Sequence, residues 1–385
     1  VKILAIRETT VSLAAAMRNA SISFGAMTAS ALAIVTDRMI DGNPVTGFAF
    51  DSIGRYGKGG LLRERFIPRL LDAPPDTLLD AQGLPDPDAC WKVVMQDEKD
   101  GGHGERPGAV GLIDAALWDL RAKLLGEPLW RTLARAHGHA DAVPHIATYA
   151  SCGHFQTDGG VDQLQEEVKT ALALGYTTVK IKVDGRDTRS DSRRIEAALS
   201  VLTSGAHLAV DANGHALPDE GEWIRAMRNF RLAWLEEPVS ALDYAGLARF
   251  AEAYGGTVAT GENLFSLDDA QNLLRYGALK PERDRIQVDM LLAYGVPEYR
   301  RILDAFTAAG WEPNAFWPHA GHLFAAHAVA GLGLGSHESA PDETRLYGGF
   351  WDGTIVEGGK IRLPELPGTG FEAKANLHAV LRTLC

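Results

Sequence analysis

Cysteine is scarce in this chain: Cys90, Cys152 and Cys385 are odd in number and far apart. Such a set makes neither a disulfide framework nor a CxxC metal pattern, and it fits a reducing compartment. Long apolar runs are missing too, so no stretch reads as a membrane span. Positive charge is in deficit, with 38 Lys and Arg against 50 Asp and Glu and a formal net charge of −12. That balance disfavours nucleic acid and anionic membranes as partners. The opening VKILAIRETT lacks the basic and apolar regions of a signal peptide, so the expected location is the cytoplasm. No GxxxxGK[ST] loop occurs, and the glycines of GLGLG come late and at the wrong spacing for a dinucleotide fingerprint.

What is present is an ordinary globular composition, 46% hydrophobic and 23% charged over 385 residues. That length holds two domains, or one large α/β unit with a smaller one. Residues 1 to about 100 read as α+β. VKILAIRETT, SALAIVTDRM and TGFAF are strand-like, and the last runs into a glycine-rich loop, Gly54 to Gly60, expected to act as a mobile flap. LLRERFIPRLL and PDACWKVVMQDE read as helices. A strong helix is predicted from about Pro107 to Leu125, with Val110, Ile113, Leu117, Leu120 and Leu124 at steps of three and four and Gly126 as its stop. From about Val143, strand-like and helix-like segments alternate. Repeated βα units imply a parallel sheet, and a count near eight favours a closed barrel.

The stretch YTTVKIKVDG, residues 176–185, organises the rest. On a strand, Val179, Ile181 and Val183 share one face and Lys180 and Lys182 the other. Inward lysines need acids opposite them. Later barrel strands end in Asp211, Glu236, Glu262, Asp289, His319 and Glu338, and counting from Lys182 the gaps are 29, 25, 26, 27, 30 and 19 residues. Apart from the last, each gap is about one βα unit. Parallel barrels carry their sites at the C-terminal strand ends, so these residues converge. Three carboxylates, Asp211, Glu236 and Glu262, repel one another unless a cation sits among them, and hard oxygen ligands favour Mg²⁺. Asp289 can hold His319 in one tautomer as an acid/base. Lys180 beside Lys182, partly buried, is expected to lower the pKa of one lysine. A base on each side of a metal suits removal of a proton α to a carboxylate. His322 and His327 look like the start of the next helix rather than a metal cluster.

KIK, VDANG, WLEEP, TGEN, the Asp289–His319 pair and Glu338 resemble the enolase superfamily in its mandelate racemase group. The likeness covers nearly the whole chain, including AVGLIDAALWDLRAKLLGEPLW. It implies a modified, TIM-like (β/α) barrel of parallel strands over about 141–355. An N-terminal α+β capping domain (1–140) would be completed by a C-terminal return (356–385). It also implies Mg²⁺ on the three carboxylates and a homo-oligomer. Within the group, MRNAS, SIGRYGKGGLLRERF, EKDGGHGERPGAVG, ATGENLFS, NLLRYG and GLGLG…YGGFWDG resemble members that dehydrate D-tartrate to oxaloacetate. On that likeness Lys182 takes the α-proton and His319 protonates the departing β-hydroxyl. Glu338 hydrogen-bonds the enediolate carboxylate and Lys180 helps to position it. Arg18, Asn19, Tyr56, Lys99, His103 and Asn213 are candidates to hold the remainder of a small hydroxy-acid substrate. YASCGHFQTDGG and EEPVSALDY, both near the barrel mouth, depart from the tartrate pattern.

Other outcomes stay open on the same groups: dehydration of a longer aldonate or aldarate, or racemisation of a 2-hydroxy acid. Cycloisomerisation fits less well, because Asp289 stands where that branch has a lysine. A barrel hydrolase or aldolase would need a His-rich or bridged two-metal site. A non-catalytic binding barrel would need no matched acid and base.

Overall fold

Asp41 and Gly42 both take left-handed backbone, φ 50° and 78°, and make the two-residue turn between β2 (Thr28–Ile40) and β3 (Asn43–Phe50). An Asp-Gly pair suits this turn because both central residues need positive φ. β1 (Ile3–Ser12) pairs with the other edge of β2, giving an antiparallel sheet in the order β1-β2-β3. The computed structural model describes residues 1–385 except 14, 16, 100, 102, 103, 156–159, 203 and 217–220.

The helix Glu105–Leu125 packs on this sheet and also on the second body of the protein. A Cβ on Gly47 of β3 would lie 2.3 Å from Ala116 O, and one on Gly111 would lie 2.4 Å from Leu291 O. Glycine is required at both contacts, because a backbone oxygen cannot yield. The steps of three and four pick out one apolar face, yet Ala109, Leu112, Ala115, Ala116 and Ala122 on other faces are buried too. A helix covered on several sides has no solvent stripe to show.

The second body is a ring of parallel strands: β4 (His145–Cys152), β5 (Val179–Lys182), β6 (Leu208–Asp211), β7 (Leu235–Glu236), β8 (Val258–Thr260), β9 (Arg285–Ile286) and β10 (His337–Ser339). β10 pairs with β4. Between β9 and β10 the ring is completed at Phe316, where Trp317 N donates to Ile286 O at 2.8 Å and Gly335 N to Phe316 O at 2.9 Å. Helices alternate with the strands, among them Val161–Ala173, Thr188–Leu202 and Leu323–Leu332. The expected barrel of parallel strands with an antiparallel N-terminal sheet is therefore the observed fold. No helix among the described residues is long and apolar enough to cross a membrane.

The C-terminal segment first joins the barrel. β11 (Lys360–Arg362) runs antiparallel to the start of β4, with Ile361 opposite Ile146. It then reaches the N-terminal sheet, where Arg7 Nη1 donates to Leu384 O at 2.8 Å. The Gly54–Gly60 loop is tied down at its far end: Lys58, 3% exposed, pairs with Asp51 at 2.7 Å, and its N–H donates to Ser30 Oγ at 2.9 Å.

His327 and His337 are fully buried. Trp130 N donates to His327 Nδ1 at 3.1 Å, and Nε2 lies 3.2 Å from Thr369 O, which fixes a neutral tautomer. Burial pushes the His327 imidazole down to about 3 and that of His337 to about 4. The folded protein then binds fewer protons than the unfolded chain between those values and 6.5. This stability is complete above the unfolded pKa and is lost as pH falls below it. Urea unfolding is expected to show a loss of up to about 1.4 kcal/mol per pH unit for each imidazole. A shallower fall in stability from pH 7 to 5 in a His327→Gln/His337→Gln double variant than in the parent checks the assignment, and an unchanged slope would contradict it.

Candidate active site at the barrel mouth

β5 turns Val179 and Ile181 outward, both fully buried, and Lys180 and Lys182 inward, 1% and 6% exposed. Lys180 Nζ pairs with Glu236 Oε1, with Glu338 Oε1 at 3.0 Å and with Asp211 Oδ2 at 3.8 Å. Lys182 Nζ pairs with Asp211 Oδ2. Burial disfavours both ammonium groups, but Glu236 and Glu338 on Lys180, and Asp211 on Lys182, outweigh it, so both pKa values rise. The expectation of a lowered lysine is corrected here. The repulsion between the two lysines is real, yet carboxylates from three other strands are stronger neighbours.

Asp211, Glu236 and Glu262 each offer an oxygen, and these lie within 4.8 Å of one another. All three are buried, with no histidine or cysteine in the set, so the donors suit a hard divalent cation. Asp211 is oriented by Asn213, whose N–H donates to Oδ1 at 2.8 Å and whose Nδ2 donates to Oδ2 at 3.1 Å. Asn213 does this from left-handed backbone, φ 45°, a conformation Asn tolerates. Burial and the neighbouring acids, working against Lys180, push the Glu236 carboxyl up to about 7. Glu237, also at positive φ (39°), is 3% exposed. Burial and the adjacent Glu262 raise its pKa well above the usual carboxylate value, and it accepts from Asn263 Nδ2 at 2.7 Å.

Glu236 Oε2 accepts from Trp234 Nε1 at 3.0 Å and from Gln287 Nε2 at 2.7 Å, both from inside the barrel below the site. These donors fix the orientation of the Glu236 carboxylate. Gln287→Met is expected to weaken Mn²⁺ binding roughly 10–100-fold, the usual scale for a residue that orients a metal ligand. Titration followed by electron paramagnetic resonance reads this, and an unchanged affinity would remove Gln287 from that role.

On the other side, Asp289 is fully buried and takes four contacts. Ser52 Oγ donates to Oδ2, Leu291 N donates to Oδ1 at 2.9 Å, His322 Nε2 lies 3.1 Å from Oδ1 and His319 Nδ1 lies 3.3 Å from Oδ2. Burial would raise Asp289, but the two histidines hold it well below the usual carboxylate range. His319 Nε2 is 3.4 Å from Glu262. Burial would lower this imidazole, yet Glu262 and Asp289 together raise it. His322 caps the helix Leu323–Leu332, accepting from Ala325 N at 3.1 Å, and so belongs to the Asp289 network and not to a metal cluster. Glu338 accepts from Ala320 N at 3.3 Å, and against burial Lys180 and His319 hold it below the usual range.

These groups open into a cavity of 480 Å³, lined by Lys182, Asn213, Glu262, His319 and Glu338 from the barrel and by Met17, Asn19, Phe24 and Ile53–Arg55 from the N-terminal part. Of the cap candidates, Asn19 therefore reaches the cavity. Arg18 is exposed and instead pairs its backbone with Phe155, at 3.0 and 2.8 Å. Tyr56 is 50% exposed and Lys99 is exposed, and neither lines the cavity. His103 lies outside the described residues. Residues not foreseen are Ser52, Trp234, Gln287, His322, His154, Arg55 and Arg345.

A parallel barrel that gathers three carboxylates between two lysines and a His–Asp pair defines a class of acid/base barrels built around a divalent cation. Residues 163–377 match the family described as enolase C-terminal domain-like, and the chain belongs to that family, within the enolase superfamily. It is 31% identical over 279 residues to a 3,6-anhydro-alpha-L-galactonate cycloisomerase of Streptomyces coelicolor, covering 70% of each chain. It is 29% identical over 282 residues to an L-talarate/galactarate dehydratase of Salmonella typhimurium, covering 72% of this chain and 65% of that one. Among solved structures, a racemase from Streptomyces coelicolor with bound magnesium superposes with a TM-score of 0.77 at 24% identity, covering 97% of this chain and 99% of that one. At that identity the likeness speaks for the fold.

Proposed function

We propose that the protein is a Mg²⁺-dependent hydro-lyase that dehydrates a 2,3-dihydroxy carboxylate, with D-tartrate to oxaloacetate as the leading reaction. The observation that carries this is the flanking of one carboxylate cluster by Lys182 on one side and the His319–Asp289 pair on the other. Asp211, Glu236 and Glu262 would hold the ion, which when bound supplies Lewis-acid stabilisation of charge on the substrate carboxylate.

The chain's own residues handle the protons. Lys182, as the free amine, takes the α-proton. Its ammonium now pairs with Asp211, a carboxylate of the proposed metal set, so a cation held there would compete for the charge that raises the lysine's pKa. Lys180 and Glu338, paired at 3.0 Å, border the place of the enediolate carboxylate. His319, whose pKa Glu262 and Asp289 raise, acts as the acid and gives its proton to the β-hydroxyl, which leaves as water. The enol then tautomerises to the 2-oxo acid. One α-C–H and one β-C–O bond break, and there is no net oxidation.

A longer aldonate or aldarate is the second reading. It is favoured by the 480 Å³ cavity, which exceeds the needs of a four-carbon diacid, and by the sugar-acid names of the relatives above. Incubation with Mg²⁺ and each tartrate stereoisomer, followed for oxaloacetate, decides between them. Product from the D isomer alone supports the leading reaction. A 2-oxo product from galactarate or an aldonate, with none from tartrate, moves the assignment to the longer acids.

A further inference from the structure

We infer that His154 is a specificity-determining residue that donates a hydrogen bond to a substrate oxygen beyond the two reacting carbons. This rests on the proposed reading of the site and goes beyond it by assigning a contact for the rest of the substrate. Cys152, the last residue of β4, is in register with Ile181 of β5, so the chain two residues further on runs beside Lys182. His154 lines the same cavity as Lys182 and His319.

Its backbone is clamped on both sides. Gly153, at φ 63°, makes the turn that ends the strand. A Cβ there would meet Leu164 at 2.7 Å and Ile181 at 2.9 Å. Its N–H donates to Glu167 at 2.8 Å, and Arg194 donates to its carbonyl at 2.5 Å. On the far side, Phe155 exchanges backbone hydrogen bonds with Arg18, and its ring lies between Arg18 and Arg194, 5.5 and 4.6 Å from their guanidinium carbons. Phe24 from the N-terminal part stands edge-on to the imidazole, with ring centroids 6.0 Å apart.

The half-buried imidazole makes no hydrogen bond to the other described residues and faces the cavity. A rigidly held polar side chain that faces the site without a partner is how a first contact to a ligand is preorganised. His327, by contrast, spends both ring nitrogens on the protein, with Trp130 and Thr369, and so has none left for a ligand. Burial and then the Lys182 charge push the group down to about 3, so it stays neutral and offers an N–H without adding charge.

The test compares wild type, His154→Ala and His154→Gln, which keeps an N–H donor, in D₂O with Mg²⁺. The probes are D-tartrate, whose oxygen at this reach is the distal carboxylate, and galactarate, whose oxygen there is a hydroxyl. His154→Ala is expected to raise KM roughly 10–100-fold for the acid that wild type uses, with kcat for α-proton exchange within about fivefold. His154→Gln should recover most of the loss, and Mn²⁺ affinity should not change. The acid that loses affinity identifies the oxygen. A KM within twofold of wild type, or equal losses in KM and Mn²⁺ binding, overturns the inference. If wild type exchanges with neither acid, the comparison is made on an aldonate panel, and no exchange with any of these acids overturns the functional reading and this contact with it. If the alanine variant fails to fold, the ¹⁵N-histidine spectrum of wild type decides: the His154 signal shifts on adding the acid, or the contact does not exist.

Discussion

Lys182→Ala is expected to cut α-proton exchange and dehydration together, by about 10²–10⁴-fold, the range for loss of a positioned general base. Lys182 is the inward lysine that also lines the cavity, whereas Lys180 lies beneath it, 1% exposed. His319→Asn should behave differently. It leaves Lys182 in place and removes the acid for the leaving hydroxyl, so dehydration falls by a similar factor while exchange of the α-proton with solvent deuterium persists. The split separates the two roles in one experiment, because the exchange signal and the 2-oxo product are read from the same sample. Equal loss of exchange in both variants would mean that His319 acts before C–O cleavage, as in two-base racemisation. Intact exchange in Lys182→Ala would remove the lysine from the mechanism.

The second large effect concerns stability. Lys180→Met leaves Glu236, Glu338 and Asp211 without the ammonium that all three face within 4 Å. Breaking a buried charge set by removing one member costs about 3–5 kcal/mol, because the remaining charges stay buried and unpaired. Protonation of Glu236, with its carboxyl already near 7, relieves part of that, so the lower end of the range is expected at neutral pH. The loss should be largest with EDTA present and smaller with saturating Mg²⁺, since the variant's carboxylates, freed of the competing ammonium, bind the cation more tightly and gain more stability by mass action. Urea unfolding with and without Mg²⁺ measures both. A variant as stable as wild type in EDTA would show that Lys180 does not neutralise this cluster.

Much of the site was legible because a barrel turns sequence spacing into geometry. Gaps of one βα unit between polar strand ends located Lys182, Asp211, Glu236, Glu262, Asp289 and His319, and alternation in KIK gave the inward lysines. The same alternation runs through WLE and QVD. Trp234 shares an inner face with Glu236, and Gln287 with Asp289, as Lys180 does with Lys182. These two residues could have been read, and were missed because neither is charged. Ser52 and His322 were hidden for another reason. They reach Asp289 from the loop after β3 and from a helix cap, and no periodicity links those segments to β9. The cap candidates fared unevenly because a loop has no period: adjacent Arg18 and Asn19 point to different places, one toward Phe155 and one into the cavity. The direction of the lysine pKa values failed for want of distances, since the acids that set it come from three other strands.

The measurement that tests the central claim most directly is α-proton exchange in D₂O, followed by NMR, for a panel of tartrates, aldarates and aldonates with Mg²⁺ and again after chelation. The account gives exchange with at least one acid, abolished by EDTA, restored by Mg²⁺ and lost in Lys182→Ala. Exchange that persists in EDTA, or no exchange with any acid when Mg²⁺ is present, would contradict a carboxylate-held cation working with Lys182 and leave the barrel without the proposed chemistry.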